Sequence, residues 1–279
     1  MPTRRDLLAD AALAAAVGAL LSPSFAAALN APPLATRRAF FRIRAATDAR
    51  TVFWYTQGVK YLLTTDDLAV VPLHQFGMIS ALRTDRGDML DDAGATVLLR
   101  TLEGGMGLDL DTGALAKDFV NPLTGEREPI ATSAARPLAY AFDGQGRHGF
   151  GADDPRRAAS SISGTLHARS MIGPAGAHGA AVEEIFAITA KTAAGETRTL
   201  RELNTYITDA DDDGGSSAPA VRKRMVVLRN WTGGGNRPAL SVSTYEGRKF
   251  ATLDEALAAA GPERVAAAQP EFVRQARGF

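Results

Sequence analysis

Apolar and polar residues alternate with a period of two in many short segments of this chain after residue 35. Residues 59–63 and 240–243 are examples, because every second side chain in each is apolar. Successive side chains of a β-strand point to opposite faces, so this pattern predicts strands with one buried face. Turn-forming residues separate the segments, as at 111–113 and 121–125. Many short strands joined by tight turns predict a closed or nearly closed antiparallel β-barrel, calycin-like, with about eight strands.

Two segments carry more detailed expectations. Phe41 and Ile43 alternate with two arginines, which predicts a strand over residues 41–44. Residues 51–63 read TVFWYTQGVKYLL, and the glycine at position 58 is expected to close a hairpin between two aromatic-rich strands. Within this segment, the rings of residues 53 and 55 would lie on one face and the ring of residue 54 on the other. One face would then fill or line the barrel, and the other would pack beneath a helix.

Helices are predicted mainly near the carboxyl terminus, packed outside the barrel. Thr252 and Glu255 match a capping box, in which each side chain accepts a hydrogen bond from the other residue's backbone N–H. Gly261 and Pro262 would end this helix, and a second short helix is expected over residues 263–268.

The first thirty residues have the pattern of an export signal. Arg4 and Arg5 precede two leucines, a short apolar run covers residues 11–21, and small residues at 26–28 match a cleavage pattern. We interpret residues 1–30 as a twin-arginine signal peptide, with an ordinary secretory signal or an uncleaved anchor as alternatives. The expected partner is the twin-arginine export machinery and the expected location is the periplasm. Residues 31–279 would form one β-rich domain without stable membrane insertion after cleavage.

Composition excludes several classes of function. Lysine plus arginine and aspartate plus glutamate each number 31, so the chain lacks the basic excess typical of nucleic-acid-binding proteins. The chain has no cysteine, which excludes disulfides, thiolate metal sites and a cysteine nucleophile.

Candidate catalytic residues are histidines and tyrosines on predicted strands. His74 and His167 are candidate acid–base groups because imidazole titrates near neutral pH, whereas His148 and His178 lie in glycine-rich loops and favour structural or solvated roles. The phenols of Tyr140 and Tyr206 could donate to an oxyanion or hold a hydroxyl. The candidate substrate-binding residues are Trp54, Tyr55, Asn204, Arg229 and Trp231. For each residue the alternative is an ordinary core or surface role.

No cofactor is expected. The sequence contains no glycine-rich nucleotide fingerprint between a strand and a helix. The carboxylates of residues 209–213, followed by Gly214, match the start of a calcium loop, but the closing glutamate is replaced by Ala220. We therefore interpret this stretch as a solvated acidic loop.

Several motifs, in order, resemble a bacterial family. They are TVFWYTQGVKYLL, GLDLDTGAL and FVNPLTGE between residues 43 and 130, then NRPALSV, GRKFATLDEAL and QPEFV near the carboxyl terminus. Together they resemble the family called domain of unknown function 1838 over nearly all of the chain after residue 30. Many relatives have a stretch rich in proline and tryptophan where this chain has the glycine-rich residues 229–235. The resemblance implies no established mechanism.

Two functions follow as hypotheses. The first is a cofactor-independent enzyme of lyase or isomerase type, in which a histidine and a tyrosine move a proton on a small apolar or aromatic molecule. The alternative is an exported protein that binds such a molecule without changing it. Both require a sheet that encloses a cavity.

Overall fold

The computed structural model describes residues 33–174, 176, 178–191, 197–209, 220–229 and 239–279. Helices α1 (Pro33–Arg44), α2 (Leu253–Ala260), α3 (Pro262–Ala268) and α4 (Pro270–Ala276) lie at the two ends of this part of the chain. Short 3-10 helices cover Gly87–Met89 and Pro155–Ala158. The strands are β1 (Val52–Thr64), β2 (Val70–Asp85), β3 (Val97–Leu108), β4 (Asp118–Val120), β5 (Arg127–Pro129), β6 (Arg136–Phe142), β7 (Arg147–Phe150), β8 (Ser160–Ile172), β9 (His178–Lys191), β10 (Thr197–Asp209), β11 (Val221–Arg229) and β12 (Ala239–Phe250).

Ten of these strands form a closed antiparallel barrel. Their order around it is β1-β12-β11-β10-β9-β8-β7-β6-β3-β2, and β4 pairs only with β5 in a separate hairpin. Closure pairs every long strand on both sides and so removes exposed sheet edges. The predicted mainly β barrel with short carboxyl-terminal helices is confirmed, with ten strands where the pattern favoured about eight.

Helix α1 lies against the inner face of the barrel and fills one end of it. The rings of Phe40 and Phe41 are fully buried, and the Phe40 ring lies 4.9 Å from Phe142 and 5.6 Å from Tyr206, measured between centroids. Lys249 of β12 points inward and donates to the carbonyl of Ile43 at the end of the helix. A cation here satisfies carbonyls that an α-helix leaves unpaired at its carboxyl end.

The prediction of a strand over residues 41–44 is therefore wrong. Four residues are too few to separate a period of two from a period of 3.6. The aromatic pair of this helix packs on the inward faces of β6 and β10, and Arg37 ties the helix to the loop between β2 and β3. Its guanidinium donates to the carbonyl oxygens of Leu90 and Ala95 at 2.7 and 2.8 Å.

The predicted hairpin turn in residues 51–63 is also wrong, because β1 continues through it. Gly58 lies inside the strand, paired with Tyr245 of β12. A Cβ atom on Gly58 would lie 1.9 Å from the carbonyl oxygen of Thr244. Glycine is required here by the close approach of two strands, a role that the sequence pattern does not distinguish from a turn.

The aromatic residues of β1 divide between two cores, as predicted. Trp54 belongs to the cluster inside the barrel, with α1. Phe53 and Tyr55 belong to the cluster between the outer wall and the carboxyl-terminal helices. The capping box of Thr252 and Glu255 is present in both directions, which confirms the predicted start of α2.

Helices α3 and α4 are fixed to the barrel by a buried glutamine. Gln269 lies between them and donates to the carbonyls of Gly105 and Ser133 at 2.6 and 2.9 Å. A Cβ on Gly104 would lie 2.8 Å from Gln269 Oε1, so glycine permits this approach. Within the described residues, no helix is both long and apolar enough to cross a membrane.

Candidate functional site

A cavity of about 120 Å³ lies inside the barrel next to the carboxyl end of α1. An engineered protein cavity of roughly 150 Å³ holds benzene, so this one suits a molecule of at most similar size. Its apolar lining comprises Met78, Leu138, Phe186, Ile188 and Leu200. Its charged lining comprises Arg44, Arg136, Arg156, Arg222, Arg224, Glu103, Glu184 and Glu202. Tyr140 and Ser133 complete it.

Strand register brings the charged groups together. On β11, Arg222 and Arg224 point inward and Lys223 between them points outward, because side chains alternate along a strand. On the adjacent strand β10, Asn204 pairs in register with Arg224 of β11 on one side and with Glu184 of β9 on the other. Polar groups of three neighbouring strands therefore meet on one inner surface.

Glu184 is the centre of a buried hydrogen-bond network. Its two carboxylate oxygens accept from Nη1 of Arg44 at 2.8 and 2.9 Å. Asn204 and Tyr206 also donate to it, at 3.0 and 3.1 Å. Burial raises the pKa of Glu184, but the charges of Arg44 and its other cationic neighbours outweigh burial, so the pKa lies below its ordinary value. The carboxylate therefore stays ionised and fixed.

Glu202 is shared by two guanidinium groups. It accepts from Nη2 of Arg224 at 2.7 Å and from Nη2 of Arg222 at 3.3 Å. Asn204 also donates to Glu202 at 2.9 Å and accepts from Nη2 of Arg222 at 2.7 Å. The Nε of Arg224 is buried and has no hydrogen-bond partner among the described residues. An unsatisfied buried donor costs about 1–3 kcal/mol, so a ligand that supplies an acceptor would gain by meeting it.

Arg156 borders the cavity from the short helix before β8. It forms a two-point pair with Asp154, with Nε 3.0 Å from Oδ1 and Nη2 2.9 Å from Oδ2. Its guanidinium also lies over the rings of Phe150 and Tyr140, 4.2 and 5.1 Å from their centroids. Burial raises the pKa of Tyr140 to about 12, so this phenol stays protonated at neutral pH.

Four of the residues predicted as site residues face the barrel interior beside this network. Tyr140 lines the cavity. Asn204 and Tyr206 do not line it but donate hydrogen bonds to Glu184, which does. Burial raises the pKa of Tyr206 well above its ordinary value, so it acts as a hydrogen-bond donor. Trp54 also points inward and donates from Nε1 to the carbonyl of Arg44 at 2.7 Å. It positions the helix end that carries this arginine.

The two histidines predicted as acid–base groups are far from the cavity. His167 is exposed on the outer face of β8, where its Nε2 lies 3.0 Å from Thr165 Oγ1. His74 is buried against Phe119 of β4, with 5.1 Å between ring centroids. It pairs in register with Lys60, about 20 Å along β1 from Trp54. Burial lowers the pKa of His74. The structure does not bring either imidazole to the cavity.

The remaining predicted residues lie outside the site or outside the described residues. Tyr55 is on the outer wall, donates to Gln57 at 2.6 Å and accepts from Arg264 at 2.9 Å. Arg229 is the last residue of β11, and its side chain lies outside the description. Trp231 and residues 210–214 of the acidic loop also lie outside the described residues.

His148, which the glycine-rich sequence around it assigned to a loop, belongs to β7 and faces inward. Its ring stacks on Phe142 with 4.7 Å between centroids, and its Nε2 is 3.4 Å from Glu184 Oε1. Neither ring nitrogen has a hydrogen-bond partner among the described residues. Burial lowers the pKa of His148, so the imidazole is neutral and supports the network by packing.

The arginines and glutamates that dominate the cavity were not predicted. Polar residues of alternating strands were assigned to the solvent face, which is the usual arrangement. In β11, residues 222–224 are all charged, so both faces of the strand carry charge there and the sequence pattern does not show which face is buried. The signal that could have found them is the carboxylate and guanidinium groups at matching positions of consecutive strands.

No protein-family model and no curated protein matches this chain. The resemblance to the domain of unknown function 1838 family stays a prediction. Among the described residues, no group of three or more histidine, aspartate or glutamate side chains is arranged to hold a metal ion.

Proposed function

We propose that the protein binds a small molecule inside its barrel, in the cavity bordered by Arg44, Tyr140 and Leu200. The single observation that carries this proposal is an internal space of about 120 Å³ with apolar side chains on one part of its wall and charged groups on another. Ligand sites in proteins combine an apolar lining with a few fixed polar groups in this way. Export to the periplasm, predicted from the first thirty residues, would make it an extracytoplasmic binding protein.

Filling the cavity tests this proposal. Leu200 lines the cavity, whereas the side chain of Leu203 on the same strand lies on the outer face of the barrel. The wild type and the Leu200→Phe and Leu203→Phe variants are screened by thermal unfolding against neutral and anionic molecules no larger than benzene. At a ligand concentration of about one hundred times Kd, a bound compound should raise Tm by about 5–10 °C. We expect Leu200→Phe to abolish the increase and Leu203→Phe to retain it. No increase for any compound, or an equal increase in both variants, would contradict the proposal.

A second candidate, acid–base catalysis on the bound molecule, is favoured by Glu103. This half-buried carboxylate lines the cavity with Tyr140 and forms no ion pair with a described residue. A carboxylate base and a protonated phenol are a suitable pair for moving a proton. No described histidine lines the cavity, so the pair differs from the histidine and tyrosine expected from the sequence.

Exchange of ligand C–H hydrogens for deuterium distinguishes an enzyme from a protein that only binds the ligand. Compounds that raise Tm are incubated with the protein in D₂O, and loss of their C–H signals is followed by NMR. For an enzyme, Glu103→Gln should retain binding and slow exchange by about 10²–10⁴-fold, the usual contribution of a general base. Exchange that is absent in the wild type, or unchanged in the variant, would leave only the binding function.

A further inference from the structure

The ion pairs of the cavity wall account for only part of its positive charge. Arg44 is neutralised by Glu184, which accepts both of its contacts within 2.9 Å. Arg156 is neutralised by Asp154 through two parallel hydrogen bonds. In each pair one guanidinium faces one carboxylate, so the formal charges cancel.

Three arginines and two glutamates remain on the lining. Arg222 and Arg224 share the single carboxylate of Glu202. Arg136 and Glu103 are cross-strand neighbours in β6 and β3. Arg136 is exposed and is balanced in formal charge by Glu103, so it adds no buried charge. The remaining group of Arg222, Arg224 and Glu202 carries one positive charge more than its carboxylate neutralises. A charge inside a protein is costly unless it is paired, so this excess favours a ligand with one negative charge.

Arg224 also supplies the free donor. Its Nη2 is taken by Glu202, whereas its Nε–H is buried without an acceptor among the described residues. Guanidinium groups bind carboxylates through planar, charge-assisted hydrogen bonds. An anionic oxygen of a ligand would therefore supply the acceptor that the described residues do not give to the Nε–H of Arg224.

The apolar residues of the cavity wall limit the kind of molecule that can supply this anionic oxygen. Leu138, Phe186, Ile188 and Leu200 give the cavity an apolar side that suits a short hydrocarbon chain. A phosphate group carries between one and two negative charges at neutral pH, whereas a carboxylate carries one. One excess charge and an apolar wall match the carboxylate.

We propose that the ligand of this cavity is a small monocarboxylate, with its carboxylate on Arg224 and its hydrocarbon part against the apolar side. This assignment rests on the proposed binding function and names the chemical class of the ligand.

The probes are butyrate, its neutral analogue butyramide, and inorganic phosphate, compared by calorimetry and thermal unfolding at matched ionic strength. We expect the Kd of butyrate to be at least about tenfold lower than that of butyramide, with no effect of phosphate. Arg224→Gln should raise the Kd of butyrate by about tenfold. Arg224→Lys, which keeps the charge but loses the Nε donor, should also weaken binding and guards against a variant that fails to fold. Lys223→Gln removes the same charge from the outer face and should leave the Kd unchanged.

The outcomes separate this proposal from the binding function. Equal binding of butyrate and butyramide, or butyrate binding that Arg224→Gln leaves unchanged, would overturn the carboxylate assignment and leave the binding function intact. Phosphate binding in place of butyrate would overturn it in the same way. If no compound of the neutral and anionic panel binds, both proposals fail.

Discussion

At the scale of single residues, Glu184 links the stability of the barrel to the shape of its cavity. Its carboxylate receives Arg44 from α1 and Asn204 and Tyr206 from β10, so it joins the helix inside the barrel to the wall. Removing one partner of a buried ion pair leaves the other charge uncompensated and costs about 3–5 kcal/mol. If the Glu184 carboxylate is removed, Arg44 is the charge left uncompensated.

The corresponding prediction is that Glu184→Gln lowers the free energy of unfolding by about 3 kcal/mol at pH 7. The pKa of Glu184 lies below its ordinary value of 4.5 in the folded protein. Its contribution is therefore fully present above the unfolded pKa and is lost as pH falls through the folded pKa. The difference between wild type and variant should stay constant from pH 7 to about pH 5 and shrink below about pH 4. Urea unfolding across this range measures it.

Glu183→Gln is the matched control. Glu183 is the preceding residue, faces outward and pairs with Arg169 at 3.0 Å near the surface. Such pairs contribute about 0–1 kcal/mol. A loss in Glu184→Gln no larger than in this control, or one that persists unchanged at acid pH, would contradict a structural role for the buried pair.

At the scale of elements, the sequence predicted the strands well and the first helix not at all. The segment at 240–243, where Leu240 and Val242 alternate with serines, lies within β12 as predicted, although it is the serines that are buried. Residues 33–44 show the opposite case, since their helix is stabilised by partners distant in sequence, such as Phe142 and Lys249. Tertiary contacts decide the structure of such a short segment, and they are not visible in the local pattern.

The same limit explains which part of the site could be predicted. Tyr140, Tyr206 and Asn204 were found because polar groups on apolar strands are notable. Their partners Arg44 and Glu184 are 140 residues apart. Their pairing depends on barrel closure and on the direction in which each strand faces. Alternation divides a strand into two faces without saying which face is inside.

At the scale of the whole molecule, strand number decides how the interior is used. The diameter of a barrel grows with the number of strands, so ten strands enclose more space than the eight expected. Here α1 and a layer of charged side chains occupy part of that space, beside a cavity of about 120 Å³. Among the described residues, this part of the interior is therefore a packed core with a small cavity.

Export is the prediction that concerns the molecule as a whole. Its basis is the pair Arg4 and Arg5 ahead of a weakly apolar run, a pattern read by machinery that carries folded proteins. Lysine keeps the charge of arginine but not its planar set of donors, so the two are not equivalent in recognition. Replacing both arginines by lysine should keep the protein in the cytoplasm, as measured by cell fractionation and by the size of the chain. Replacing Arg42 by lysine, in α1, is the control and should leave export unchanged. Equal periplasmic accumulation of the double variant and the wild type would contradict the twin-arginine interpretation and favour an ordinary secretory signal.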